Sequence, residues 1–258
     1  MKIGVFDSGS GGLTVLREMR TRMPNHEYVY FGDYARLPYG NKPRETIVRF
    51  SLEILNFLLS KKVEMIVVAC NTIVASAMDE LKASCPVPII GVVGPTLKHV
   101  VESGCKNVGV AATDATVRSG IYGEGLASRG VNALSVACPV LVPLIESDSS
   151  GAEMDSAIEK YFSNFCGRGI DAVIMGCTHY PIVRNKIDKF LKSRGENIRL
   201  IDPAIHTADS IKEYLSDREA SKPKKTTFWF GKTDDALIKR SSKIMGEPVK
   251  PKLFELNK

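Results

Sequence analysis

The sequence predicts an α/β protein with two similar lobes, each a largely parallel sheet flanked by helices, related by a pseudo-two-fold duplication. Three observations lead there. Short continuous apolar runs alternate with longer amphipathic segments along the chain. Two stretches repeat the same landmarks in the same order. Each stretch also sets a cysteine directly after an apolar run, Cys70 in IVVACNTIV and Cys177 in AVIMGCTHYP.

The first set of strands is expected at KIGVF (2–6), EYVYF (27–31), EMIVVA (64–69) and VPIIGV (87–92). The second set is NVGVA (107–111), VNALSVA (131–137), DAVIM (171–175) and NIRLI (197–201). Runs of this kind are buried on both faces, as in parallel sheets covered by helices. Helical patterns fall near 12–22, 43–60, 72–84, 115–128, 151–165, 181–193 and 204–215. After them come TTFWF (226–230) and a helix near 234–245. Phe228, Trp229 and Phe230 carry enough apolar surface to return this tail to the first lobe. The expected division is therefore 1–92 plus 210–258 for the first lobe and 93–209 for the second, with a site in the cleft between them.

The repeat is explicit. IGVFDSGS, starting at residue 3, matches VGVAATDA, starting at residue 108. Pro38 of RLPYG and Pro143 of LVPLIE lie equally far beyond those starts. Cys70 matches Cys177, and PIIGVVGP (88–95) corresponds to RLIDPA (199–204). Two copies make a duplication; a solenoid needs three or more. Asp7, Cys70, Thr113 and Cys177 all fall at carboxyl ends of strands, where open α/β sheets bind ligands. Facing lobes would bring these ends to one cleft.

Composition narrows the class. The chain has 258 residues, 44% hydrophobic and 25% charged, as in globular proteins. No apolar run approaches the roughly 18 residues of a membrane helix. MKIGVFDSGSGG lacks the apolar core of a secretory signal, so a cytoplasmic protein with reduced thiols is expected and no membrane partner. Net charge is +6, but the basic residues are dispersed, and the densest cluster, SKPKK (221–225), reads as a solvated loop. That disfavours nucleic acid and suits an anionic small substrate. Cys85, Cys105, Cys138 and Cys166 read as small buried apolar residues.

A thiol at the junction of strand and helix is placed for reaction, because the helix N-terminus favours the thiolate. A thiolate and a thiol on opposite faces of a carbon acid can remove one proton and return another, inverting that carbon. Asp7, Asn71 and Thr72 fit helix caps as well as substrate contacts. His179, two residues from Cys177, fits a proton partner, and Glu146 at the end of VPLIE is a second candidate neighbour. In DSGSGG the third glycine of a dinucleotide fingerprint is replaced by Thr14, which weakens a nucleotide reading. Cysteines at CxxC spacing are absent, so no structural metal site is expected.

DSGSGGLTVL, RLPYGNK, VVACNT, VPLIE and MGCTH, in this order and spacing, resemble the glutamate racemase family from residue 3 to about 204. The resemblance implies cofactor-independent interconversion of L- and D-glutamate, supplying D-glutamate for peptidoglycan. It implies that Cys70 is the base acting on D-glutamate, assisted by Asp7. It implies likewise that Cys177 is the base acting on L-glutamate, assisted by Glu146 and His179. Ser8, Tyr39, Gly40, Asn71, Thr72, Thr113, Thr116 and Thr178 then resemble substrate contacts, together with Asp7 and His179. Two positions depart from the family pattern: Ile73 stands where alanine is usual, and AATDATV lacks the glycine that commonly precedes its first threonine. Related aspartate racemases usually carry glutamate where His179 stands, so His179 favours glutamate. Lobe closure is expected, with hinges near 92–96 and 205–210. A homodimer is compatible with the sequence, although no helix shows a distinct apolar stripe to mark its interface. Three other readings remain open: another racemase or lyase of the same superfamily, acting on aspartate; a metal protein using Cys70, Cys177 and His179; and a binding protein whose lobes close on an anionic ligand.

Overall fold

The computed structural model describes residues 1–149, 151–215 and 225–256. Most of the basic cluster at 221–225 therefore lies outside the described residues. Strands β1 (Lys2–Asp7), β2 (Glu27–Gly32), β3 (Met65–Val68) and β4 (Ile89–Gly91) belong to the first sheet. Strands β5 (Asn107–Ala112), β6 (Asn132–Ala137), β7 (Ala172–Gly176) and β8 (Arg199–Ile201) form the second. The chain then returns to add β9 (Thr226–Phe230) and β10 (Pro251–Leu253) to the first sheet. The strand orders are β10-β9-β2-β1-β3-β4 and β6-β5-β7-β8.

Every strand pair is parallel. The order β2-β1-β3-β4 recurs as β6-β5-β7-β8, so the repeat read from sequence is a repeat of topology. Register repeats too: Ile3 faces Met65 as Val108 faces Ala172. In both sheets the connection reverses direction at equivalent places, between β1 and β3 and between β5 and β7. That reversal opens the crevice where ligands bind in such sheets.

The helices are α1 (Leu13–Arg22), α2 (Arg44–Ser60), α3 (Asn71–Ser84), α4 (Val93–Glu102), α5 (Asp114–Arg118), α6 (Ile121–Ala127), α7 (Leu141–Glu146), α8 (Ala152–Phe162), α9 (Arg184–Ser193), α10 (Pro203–Tyr214) and α11 (Asp235–Met245). Two of these were not anticipated, α4 and α7. Each carries a proline, Pro95 and Pro143, at the third position of the helix. In a first turn the missing N–H is an orphan anyway, so proline is tolerated. The single helix expected over 115–128 is two, broken where Gly120 adopts φ +71°. The expected hinge near 92–96 falls at the start of α4, and that near 205–210 falls inside α10.

One core fills the first sheet and continues to one face of the second through Val108, Val110, Ala112, Ala172 and Ile174. The other face of the second sheet, with Ala111, Val173 and Met175, packs beneath α7, α8 and α9. This is the period-two alternation of a strand buried on both sides. The edge strand β6 departs from it: Asn132, Ala133 and Ser135 are exposed. Helix α10 packs against α1, and its Ala204, Ala208 and Ile211 lie in the shared core.

The returning tail is anchored as its aromatics require. Phe228 and Phe230 are buried, each contributing roughly 2 kcal/mol by removal from water. Trp229 meets Phe57 edge-on, with centroids 5.4 Å apart. The Asp234 side chain accepts from the Leu237 N–H at 2.7 Å to start α11, and Gly246 ends it at φ +70°.

Candidate active site

Four strand ends converge: Asp7 ends β1, Cys70 follows β3, Thr113 follows β5 and Cys177 follows β7. The last three line a cavity of about 120 Å³ together with Ser8, Tyr39, Gly40, Asn71, Thr72, Thr178 and His179. Of the sequence-derived candidates, Asp7, Glu146 and Thr116 stand behind this wall. Leu37, Pro38, Asn41, Asp114, Pro139, Val142 and Pro143 complete the lining and were not among the candidates. Pro38 and Pro143, matched in the repeat, therefore face the same cavity.

Close approach of the lobes requires a residue without a side chain at position 11. A Cβ on Gly11 would lie 2.4 Å from Thr178 Oγ1 and 2.5 Å from His179 Nδ1. The lobes are tied there by Thr14 Oγ1, which donates to the Thr178 carbonyl at 3.2 Å. Across the cavity, the Thr72 and Thr113 hydroxyls bond each other at 2.8 Å, and Thr113 bonds Thr116 at 3.0 Å. The Ala115 N–H donates to the Gly40 carbonyl at 3.1 Å. The Tyr122 hydroxyl donates to Asn71 Oδ1 at 2.6 Å. Asn71 Nδ2 is buried without a partner among the described residues, an unused donor on a residue of the cavity wall.

The surroundings of the two thiols differ. Cys70 Sγ lies 3.5 Å from Ser8 Oγ. Burial, together with the nearby Asp7 carboxylate, pushes the Cys70 thiol up to about 12, against the opposing pull of Ser8 and the Ile73 amide. Asp7 is fully buried, and Thr178 Oγ1 donates to its Oδ1 at 3.1 Å. Burial raises the Asp7 carboxyl; the His179 charge, Thr178 and the amides of Gly9 and Gly12 oppose that rise. Tyr39 lines the cavity while its hydroxyl is spent on Asp33.

At the other thiol, Cys177 Sγ lies 3.8 Å from His179 Nδ1, and His179 Nε2 lies 2.7 Å from Glu146 Oε1. Burial disfavours the imidazolium, but hydrogen bonds to Cys177 and Glu146 outweigh it and push His179 up to about 10. At neutral pH both ring nitrogens are thus donors, one toward the sulfur and one toward the carboxylate. Burial also works against the Glu146 carboxylate, yet His179, Arg240 and Ser10 hold it below its usual range. Ser10 Oγ donates to Glu146 Oε1 at 2.8 Å, and the Arg240 guanidinium, from α11, pairs with Glu146 Oε2.

Arg240 and Ser10 escaped the sequence reading. The available signal was a charged residue on the apolar face of a helix: Arg240 sits among Leu237, Ser241 and Ile244 on the buried side of α11. Among the described residues, no group of three or more His, Cys, Asp or Glu side chains is arranged to hold a metal ion. Among them, too, no helix is long and apolar enough to cross a membrane.

Two parallel sheets of one topology set a cysteine at matching strand ends, and both cysteines line one cavity, the arrangement of a two-lobed α/β enzyme. Residues 10–211 match the family described as Asp/Glu/Hydantoin racemase, and the chain belongs to that family. A glutamate racemase of Aquifex aeolicus is 42% identical over 98% of this chain and 97% of its own. The structure of a Francisella tularensis glutamate racemase in complex with D-glutamate superposes with a TM-score of 0.90 at 32% identity, covering 99% of this chain and 97% of that one. The glutamate racemase of Aquifex pyrophilus superposes with a TM-score of 0.83 at 38% identity, with 98% of each chain covered. Within the family, this chain is therefore an amino-acid racemase of the glutamate racemase group, an isomerase.

Proposed function

We propose that the enzyme interconverts L- and D-glutamate by direct proton transfer at Cα between Cys177 and Cys70, with no cofactor taking part. The observation that carries this reading is the pair of cysteines at equivalent strand ends of the duplicated fold, both lining one cavity. Residues 1–92 with 210–258 act as one lobe and 93–209 as the other, opening and closing around the substrate.

In the L-to-D direction, the Cys177 thiolate takes the α-proton. The C–H electron pair stays on the substrate as a carbanion delocalised into its carboxylate. The Cys70 thiol then gives its proton to the opposite face, leaving D-glutamate, a Cys177 thiol and a Cys70 thiolate. The D-to-L direction exchanges the roles. Asp7 assists Cys70, while His179 and Glu146 assist Cys177. The developing negative charge is met by preorganised donors, the amides at the start of α3, Asn71 Nδ2 and the Ser8 hydroxyl, while Thr72, Thr113 and Thr178 shape the wall around the substrate. Thr116 acts through Thr113, to which it is bonded. Tyr39 and Gly40 contribute through their main chain and ring edge. Exclusion of water by the closed lobes strengthens each of these contacts.

In the cell, this activity supplies D-glutamate for peptidoglycan from the cytoplasm, where thiols stay reduced. A homodimer is compatible with this role.

The deciding experiment is incubation with L-glutamate in D2O, without added cofactor, following optical rotation and deuterium at Cα. Racemisation is expected, with the D-enantiomer deuterated as it forms and the remaining L-enantiomer initially protiated. Exchange with aspartate alone would move the substrate. Exchange with neither amino acid would sink the reading.

A further inference from the structure

We propose that Arg240 is a positioning residue for proton transfer at Cys177, acting through Glu146 and His179 and not on the Cys70 half. The inference rests on the two-cysteine reading above. Its basis is how completely this guanidinium is used. One terminal nitrogen pairs with Glu146 Oε2 and the other takes the Glu146 main-chain carbonyl, while Nε donates to Ser10 Oγ at 3.2 Å. Ser10 in turn donates to Glu146 Oε1, the same oxygen that faces His179 Nε2. Both carboxylate oxygens and the backbone of Glu146 are thereby fixed from one side. The carboxylate has one orientation left in which to hold the imidazole against Cys177.

Arg240 is only 8% exposed. A buried guanidinium is costly unless every donor is matched, and here all three nitrogens are matched to the Glu146–Ser10 pair. A planar fork makes this set of bonds; an ammonium cannot reach all three acceptors at once. On the Asp7 side of the cavity no such clamp stands among the described residues: Asp7 is met by the Thr178 hydroxyl and by backbone amides. The structure thus places a rigid charged lever on one proton-transfer step and not on the other. Helix α11 carries it from the far end of the chain.

L- and D-glutamate are equal in free energy, so kcat/KM must fall equally in both directions for any variant. Directional information lies instead in the isotope effect. The test compares Arg240→Met and Arg240→Lys with the unaltered enzyme, using L-[2-2H]- and D-[2-2H]-glutamate, with circular dichroism to establish folding. Arg240→Met is expected to lower kcat/KM roughly tenfold, in keeping with a lost charge-assisted hydrogen bond. The deuterium isotope effect should rise with the L-substrate and not with the D-substrate, with Arg240→Lys intermediate. A merely structural role would lower the rate with both isotope effects unchanged, or raise them together, and either result overturns the proposal. Should Arg240→Met not fold, Arg240→Lys decides: an unaltered isotope pattern there overturns it equally. Failure of the parent reading is distinguishable, because Cys177→Ser would then still racemise glutamate.

Discussion

Cys70 and Cys177 occupy the same place in two copies of one architecture, yet their electrostatic neighbours have opposite signs. The sulfur of Cys70 faces a buried carboxylate and a hydroxyl. The sulfur of Cys177 faces an imidazolium backed by Glu146 and Arg240. Two thiols stand at matching positions of the repeat, and the residues around them have diverged, a carboxylate and a hydroxyl beside one, an imidazole and its carboxylate beside the other. A two-base reaction needs that asymmetry, since one group must begin without its proton and the other with it.

The sharpest way to break the comparison is to remove the thiols. Cys70→Ser and Cys177→Ser should each lower racemisation by about 10³-fold, the scale of a lost general acid or base, measured by polarimetry. If one variant stayed near normal, the two halves would not be partners. Replacing the neighbours should cost less, on the order of 10²-fold. His179→Gln should raise the deuterium isotope effect with L-glutamate and Asp7→Asn with D-glutamate. Equal effects in both directions from both variants would erase the distinction between the halves.

Protonation sharpens it further. His179 should remain protonated at pH 8, because its folded-state value is pushed up to about 10, and its ring 15N shifts should show this. A raised histidine contributes stability that is fully present below its unfolded value of about 6.5 and lost as pH rises through about 10. His179→Gln should therefore flatten the pH dependence of unfolding between those limits. Iodoacetamide at pH 8 should modify Cys177 before Cys70, whose thiol is pushed up to about 12. The reverse order would contradict the assignment. The smallest effect is expected at the hydroxyl pair joining the lobes. Thr72→Val and Thr113→Val should each cost about 1 kcal/mol in urea unfolding, and the double variant little more than one alone.

Much of this was legible because it is local. A continuous apolar run, a reactive residue and a helical pattern fall within a dozen residues at each cysteine, and the copies match in order. The strand pattern and the duplication followed from that. Helices α4 and α7 were hidden because proline in a first turn looks, in sequence, like proline in a loop. The break at Gly120 was hidden because a glycine inside an amphipathic pattern does not declare its φ. Ser10, Tyr122 and Arg240 depend on partners from remote segments, which no window on the chain can pair.

The return of the chain to the first sheet orders the protein in time. All four strands of the second sheet come from one unbroken stretch of chain, so that sheet can close as soon as its residues exist. The first sheet cannot: β2 stays an open edge until β9 arrives, with Tyr30 finally set opposite Phe228. Contacts of such long sequence separation are slow to form, because the intervening chain must be drawn in first. The first sheet, begun before the second, is thus completed after it. Until it is, β2 offers a nascent chain an unpaired row of backbone groups, the template on which wrong strands pair.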